Sequence, residues 1–333
     1  MNMDATENLR RFSYKSALSS RGAGIGIGLI GMLVLPLLVR ALGTSLMMRL
    51  GLMDSQKYSA AYSYLQPEVY YIYYSLLYLS MVLVPFLILV PIYRMKGREV
   101  LPLSRRVSGK TMLLAALAGL SCCLVANAVT IGWCGMLEAI FGIVSVPGEL
   151  PLDRSLSSRV LYFCIYAILP ALAEEIAFRG VVFGLLRPYG KTIAVVGSAF
   201  IFGIMHGNLL QIPFAFIGGL FFGWLLAETG SILPCMLLHF CNNGLSVVQM
   251  FLQTDVPGEV MNHVSYGMMI LTLAVGIVCL LLLLRKYPGL FRMQEEPGVL
   301  TNAEKFRAVA LNPAMIVAYL LIAVEMIASM TFK

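Results

Sequence analysis

Apolar residues run along this chain in blocks about as long as a bilayer is thick, separated by short polar turns. A helical crossing needs about 20 mostly apolar residues. Nine stretches fit or approach that length: 22–43, 69–93, 111–133, 158–180, 191–207, 210–228, 231–252, 265–285 and 313–332. Segments 191–207 and 210–228 are short and closely linked, so either is a candidate for a tilted, broken or re-entrant piece. The pattern predicts an all-α fold, a polytopic integral membrane helical bundle of about eight to nine transmembrane helices.

Composition agrees. Of the 333 residues 59% are hydrophobic, only 12% are charged, and the mean hydropathy is +0.84, whereas soluble domains are about one quarter charged. The net charge of +7 does not mark a nucleic-acid partner, because the Lys and Arg residues sit in turns between apolar spans. Loop 94–110 carries Arg94, Lys96, Arg98, Arg105, Arg106 and Lys110 against Glu99, and Arg187, Lys191, Arg285, Lys286 and Arg292 mark two further basic turns. The intervening loops lean acidic, with Glu138, Glu149, Asp153, Asp255 and Glu259. This alternation places the N-terminus in the cytoplasm. The first twenty residues are polar, so 22–43 reads as an anchor and not as a cleaved signal. A multi-pass protein of a bacterial cell membrane is the expected setting.

Smaller features take ordinary readings. The seven cysteines lie in or beside apolar spans without zinc spacing and are expected as small buried hydrophobes. The tyrosines of 58–78 (Tyr58, Tyr62, Tyr64, Tyr70, Tyr71, Tyr73, Tyr74 and Tyr78) fit an aromatic belt at the outer interface. Gly24 with Gly28, and Gly219 with Gly223, have the small-xxx-small spacing of closely packed helices. Glu228 and Glu325 are expected as packing or interface residues.

Three polar insertions in neighbouring spans change the picture. They are Glu174-Glu175-x-x-x-Arg179, Phe202-x-x-x-His206 and His239-x-x-x-Asn243. Ionisable groups at membrane depth are costly and usually face a cavity. On a helix, residues four apart share a face. Glu175 should therefore pair with Arg179 as a structural or auxiliary catalytic acid, while Glu174 points elsewhere, free to act as a general base. Phe202 and His206 share a face, as do His239 and Asn243. Asn242 diverges and is expected to bond a neighbouring helix. Carboxylates, imidazoles and an amide are the parts that activate water and hold an oxyanion. Each motif alone also fits a structural ion cluster or a packed histidine.

The three motifs in this order resemble the CPBP (Abi/CAAX) family of intramembrane proteases, which includes type II CAAX prenyl endopeptidases and bacteriocin-processing or self-immunity proteins. The resemblance covers roughly 155–252. It divides the chain into a cytoplasmic segment 1–21, N-terminal transmembrane helices 22–154, a protease-like core 155–252 and C-terminal transmembrane helices 253–333. It implies an intramembrane endopeptidase acting on a membrane-associated or lipidated protein or peptide, with the site opening toward the cytosol. In that mechanism Glu174 with His206 activates water, His239 and Asn243 stabilise the oxyanion, and Glu175 and Arg179, with Phe202, hold the site together. No cofactor is favoured. Divalent zinc on Glu174, His206 and His239 is the alternative, although no His-Glu-x-x-His is present.

Two other function classes stay open at this stage: a proton-coupled secondary transporter and a catalytically silent membrane scaffold or immunity factor. One geometric difficulty also stands. If span 158–180 ends near the inner face and 191–207 runs outward, Glu174 and His206 lie roughly 15 Å apart in depth.

Overall fold

The computed structural model describes residues 3–52, 67–103, 107–144, 155–293 and 298–332. Tyr58, Tyr62, Tyr64, Arg105, Arg106, Glu149 and Asp153 lie outside them. The chain is a bundle of long helices, and it is a multi-pass integral membrane protein. Helix α1 spans Met3–Arg49 and α2 spans Pro67–Val82, prolonged by the turns Val84–Leu87 and Leu89–Ile92. Helix α3 is Gly109–Phe141, and α4 runs unbroken in direction over Leu156–Tyr189. Helices α5 (Lys191–Ile204), α6 (Ile212–Thr229), α7 (Leu233–Asp255) and α8 (Gly258–Lys286) follow. The short α9 (Asn302–Ala310) and α10 (Pro313–Ala328) close the chain. A two-residue ladder pairs β1 (Ile143–Val144) with β2 (Thr331–Phe332) antiparallel.

Among the described residues seven helices are long and apolar enough to cross a membrane, or eight if α9 and α10, bent by 65°, form one span. The count falls at or below the lower end of the expected range because α5 has only 14 residues. At 1.5 Å per residue that is about 21 Å, short of the roughly 30 Å hydrocarbon layer. The stretch 191–207 is therefore not a full straight span. It forms the first arm of a hairpin with α6, where a Cβ at Gly219 would stand 3.0 Å from the Ala199 Cα and one at Gly223 would stand 3.2 Å from the Val195 Cα. The small-residue spacing thus serves packing within the chain.

Local chemistry sets the ends. Proline opens α10 at its first position, where the missing N–H costs nothing. Gly142 and Gly230 close α3 and α6 in the left-handed conformation, at φ 68° and 64°. In α4, Pro170 cannot donate to the ladder, and the backbone around it widens into two π-helical stretches, Cys164–Ile168 and Glu175–Val182.

Basic residues gather at one end of the bundle, tied by polar contacts. Lys191 pairs with Glu228 and also donates to the Gly289 carbonyl at 2.8 Å. Lys286 donates to Thr111, Arg11 meets Glu304 at 2.6 Å, and Asn312 Nδ2 donates to the Ser19 carbonyl at 3.0 Å. The opposite end carries β1 and β2 and a bidentate Arg159–Asp255 pair at 2.6 and 2.9 Å.

The α3–α8 contact depends on Gly276. A Cβ there would overlap Ser121 Oγ and meet the Leu117 carbonyl at 2.6 Å, while that same hydroxyl donates to the Thr272 carbonyl at 2.8 Å. Overpacking of this kind costs about 1–3 kcal/mol. Gly276→Val should lower the thermal midpoint of the purified protein by several degrees, whereas Gly267→Val, with nothing within 4 Å, should leave it within about a degree.

Candidate active site

The depth difficulty disappears because α4 does not stop near residue 180. It continues to Tyr189, and the chain turns at Gly190, held at φ 132°. Glu174 precedes that turn by 16 residues and His206 follows it by 16. Both sit about 24 Å from the turn at helical rise, hence at one level. Glu174 and His206 line one cavity of about 340 Å³, together with Tyr78, Arg40 and Glu325.

Glu174 is buried, and its Oε1 accepts the Tyr78 hydroxyl. Its Oε2 lies 3.7 Å from His239 Nε2. The other nitrogen of that ring, Nδ1, donates to Glu175 Oε1 at 2.9 Å. Glu175 Oε2 in turn faces Arg179 Nε at 3.3 Å, with both side chains fully buried. The expected Glu175–Arg179 pair is thus present, and Glu174 lies clear of it. One imidazole stands between two carboxylates, and a guanidinium closes the row. A neutral His239 has one N–H and spends it on Glu175, so a proton facing Glu174 requires either imidazolium or a protonated Glu174.

Aromatic rings fix these groups. The Arg179 guanidinium lies 4.1 Å from the Phe202 ring centre and 4.8 Å from that of Phe222. Phe202 also meets His206 edge-on at 5.1 Å and His239 at 6.2 Å, and Phe222 stacks on His239 at 5.6 Å. His206 Nδ1 donates to the Phe202 carbonyl at 2.8 Å, since a carbonyl only accepts. Nε2 of the neutral ring is then its basic nitrogen. The loop bearing His206 is pinned from α3, where Trp133 Nε1 donates to the Leu209 carbonyl at 3.0 Å.

Asn243 stands apart. It lies one turn beyond His239 but does not line this cavity, and its Oδ1 accepts from Asn242 Nδ2 at 3.1 Å. Asn242 therefore bonds its neighbour and not another helix. Among the described residues no three His, Cys, Asp or Glu side chains come together as a metal-ligand set.

Several site residues escaped the sequence reading. Tyr70, Tyr74 and Tyr78 form a ladder along α2, with ring centres 6.1 and 6.4 Å apart, that ends on Glu174. Tyr70 and Tyr71 are buried, and Tyr74 packs on Tyr166 at 5.7 Å, so this part of the tyrosine run faces inward. Their four-residue spacing was the available signal. Glu325 lines the cavity, with Oε2 3.5 Å from where a Gly207 Cβ would be, whereas Glu228 is only a structural partner of Lys191. A second cavity of about 280 Å³ reaches His206 from beneath β1 and β2. Both cavities at His206 therefore lie toward the end opposite the basic cluster, not at it.

Residues 156–245 match the family described as type II CAAX prenyl endopeptidase Rce1-like. Over that stretch the chain carries a domain similar to the type II CAAX prenyl endopeptidases. The matched stretch begins with α4 and ends within α7, so it contains all three polar motifs. No curated protein and no solved structure matches the chain. A CAAX protease domain makes the chain a membrane-embedded peptidase.

Tyr78 gives a direct check on the geometry. A hydrogen bond to a charged group is worth about 1.5–3 kcal/mol. Tyr78→Phe should slow peptide cleavage by about ten- to a hundredfold and lower the thermal midpoint by a few degrees, measured on the purified protein.

Proposed function

We propose that this chain hydrolyses a peptide bond of a membrane-associated or lipidated protein by a metal-independent route. The observation that carries the reading is the shared cavity of Glu174, on α4, and His206, in the turn after α5, two ionisable groups brought to one depth. Glu174 takes one proton of a water whose other O–H donates to His206 Nε2, and the water oxygen attacks the carbonyl carbon. The tetrahedral oxyanion is stabilised by a protonated His239 Nε2, while Asn243, outside the cavity, takes no part. The proton then passes to the amide nitrogen, and the C–N bond breaks. Glu175 and Arg179 hold His239 in place. A prenylated protein ending in a CAAX sequence is the substrate type the family match suggests, and the N-terminus and basic end face the cytoplasm of a bacterial cell.

The test is comparative N-terminal proteomics of membranes from cells making the wild type or Glu174→Gln at matched levels, repeated with purified protein in 1,10-phenanthroline. New N-termini confined to the wild type support the reading and name the substrate. Identical profiles from two folded proteins would move the assignment to a transporter or a silent scaffold. Loss of cleavage with the chelator, restored by zinc, would overturn the metal-independent route.

A further inference from the structure

Another cavity, of about 620 Å³, opens at the basic end of the bundle and lies apart from the cavities at His206. Five arginines line it: Arg21 of α1, Arg94 and Arg98 after α2, and Arg179 and Arg187 of α4. One acidic residue, Glu99, shares the lining, and its Oε2 is already bound to the Lys96 backbone N–H in a helix cap. Arg94, Arg98 and Arg187 are exposed and make no ion pair among the described residues. Arg21 lies over the Tyr93 ring at 4.5 Å, a ring whose hydroxyl is held by the Ser20 carbonyl.

Two observations separate this from a plain topology signal. Arg94 sits at φ 51°, a left-handed conformation that a residue with a side chain rarely adopts. Arg179, in the wall, is fully buried with its guanidinium held by Glu175, Phe202 and Phe222, so the other four arginines carry the uncompensated charge of the cavity. Four further guanidinium groups around one concavity are not needed to set orientation, and they repel one another unless an anion lies between them.

We infer that this cavity is a binding site for a phosphate group. Arginine forks match phosphate oxygens in bidentate geometry. The position at the basic end of membrane-spanning helices suits the headgroup of an anionic phospholipid, and the same chemistry would take free phosphate. A zwitterionic headgroup brings its own cation against four exposed or half-buried arginines and is disfavoured. The site also touches the catalytic row, because Arg179 forms part of its wall and faces Glu175 on the other side.

The experiment is a thermal-shift titration of the full purified chain in a neutral detergent. The probes are short-chain phosphatidylglycerol, short-chain phosphatidylcholine and inorganic phosphate, all at constant ionic strength. Phosphatidylglycerol should raise the midpoint saturably and phosphatidylcholine should not. The combined variant Arg94→Gln/Arg98→Gln/Arg187→Gln should raise the half-saturating concentration at least tenfold. Arg285→Gln/Arg292→Gln, which removes as much basic character from the same end outside the cavity, should leave it within twofold. A shift with inorganic phosphate alone assigns the site to free phosphate, and a shift only with the lipid assigns it to a headgroup. Equal responses to the two lipids without a phosphate response, an unchanged response in the triple variant, or an equal loss in the control variant would each overturn the site.

Discussion

Glu174→Gln should abolish cleavage while leaving the protein folded. The substitution keeps the shape and the Tyr78 contact but removes the proton acceptor. Loss of a positioned general base costs about 10²–10⁴-fold in rate, and here the same carboxylate also faces His239 Nε2 at 3.7 Å. The fall should therefore lie near the upper end of that range, measured as turnover of the substrate found by proteomics. The thermal midpoint should stay the same or rise, because one buried negative charge between Tyr78 and His239 is gone. A Glu174→Gln protein that cleaves at a tenth of the wild-type rate or better would remove Glu174 from the chemistry. His206→Gln offers a second reading of the same cavity, and its loss should be comparable and not additive with the first, since residues acting as a unit are non-additive.

The largest effect on stability should come from Arg179. Its guanidinium and the Glu175 carboxylate are both fully buried and 3.3 Å apart, with Phe202 and Phe222 against the cation. Removing one member of a buried pair costs about 3–5 kcal/mol, because the other charge is left uncompensated. Arg179→Met fills the space between the rings but leaves Glu175 with only His239. Unfolding in denaturant should show a loss of that size, and activity should fall with it as His239 loses its orientation. The double variant Glu175→Gln/Arg179→Met should recover most of the stability, since no unpaired charge remains, and should still cleave poorly. If Arg179→Met alone costs less than about 1 kcal/mol, the pair is not what holds this cluster.

The sequence was strong on element type and weak on depth. Long apolar runs specify helices whatever their neighbours do, because a backbone in lipid must satisfy its own hydrogen bonds. The four-residue spacing from Glu175 to Arg179 likewise determined their pairing, since i and i+4 stack on one helix. Spacing could not reveal that α4 runs on to Tyr189, because Phe183, Leu185 and Leu186 are as apolar as lipid-facing residues yet are buried in protein. That extension is what levels Glu174 with His206.

Partners from distant parts of the chain were closed to sequence reasoning for a related reason. Tyr78 and Glu174 are 96 residues apart, and Trp133 and Leu209 are 76 apart. A tyrosine ladder inside the bundle and one at its rim have the same spacing, and only the packing of α2 on α4 decides between them. Asn243 shows the converse. Its helical register with His239 is correct, but its amide oxygen is taken by Asn242 and it does not line the cavity, because sharing a face does not fix which rotamer and neighbour a side chain adopts. Composition and short-range spacing were enough for the membrane setting, most of the helices, the three polar motifs and the Glu175–Arg179 pair, all of which depend on neighbours within one or two turns. Tertiary structure alone decided that two carboxylates, two imidazoles and a tyrosine meet at one depth, because their distances depend on where helices end and how they cross, which no local pattern encodes.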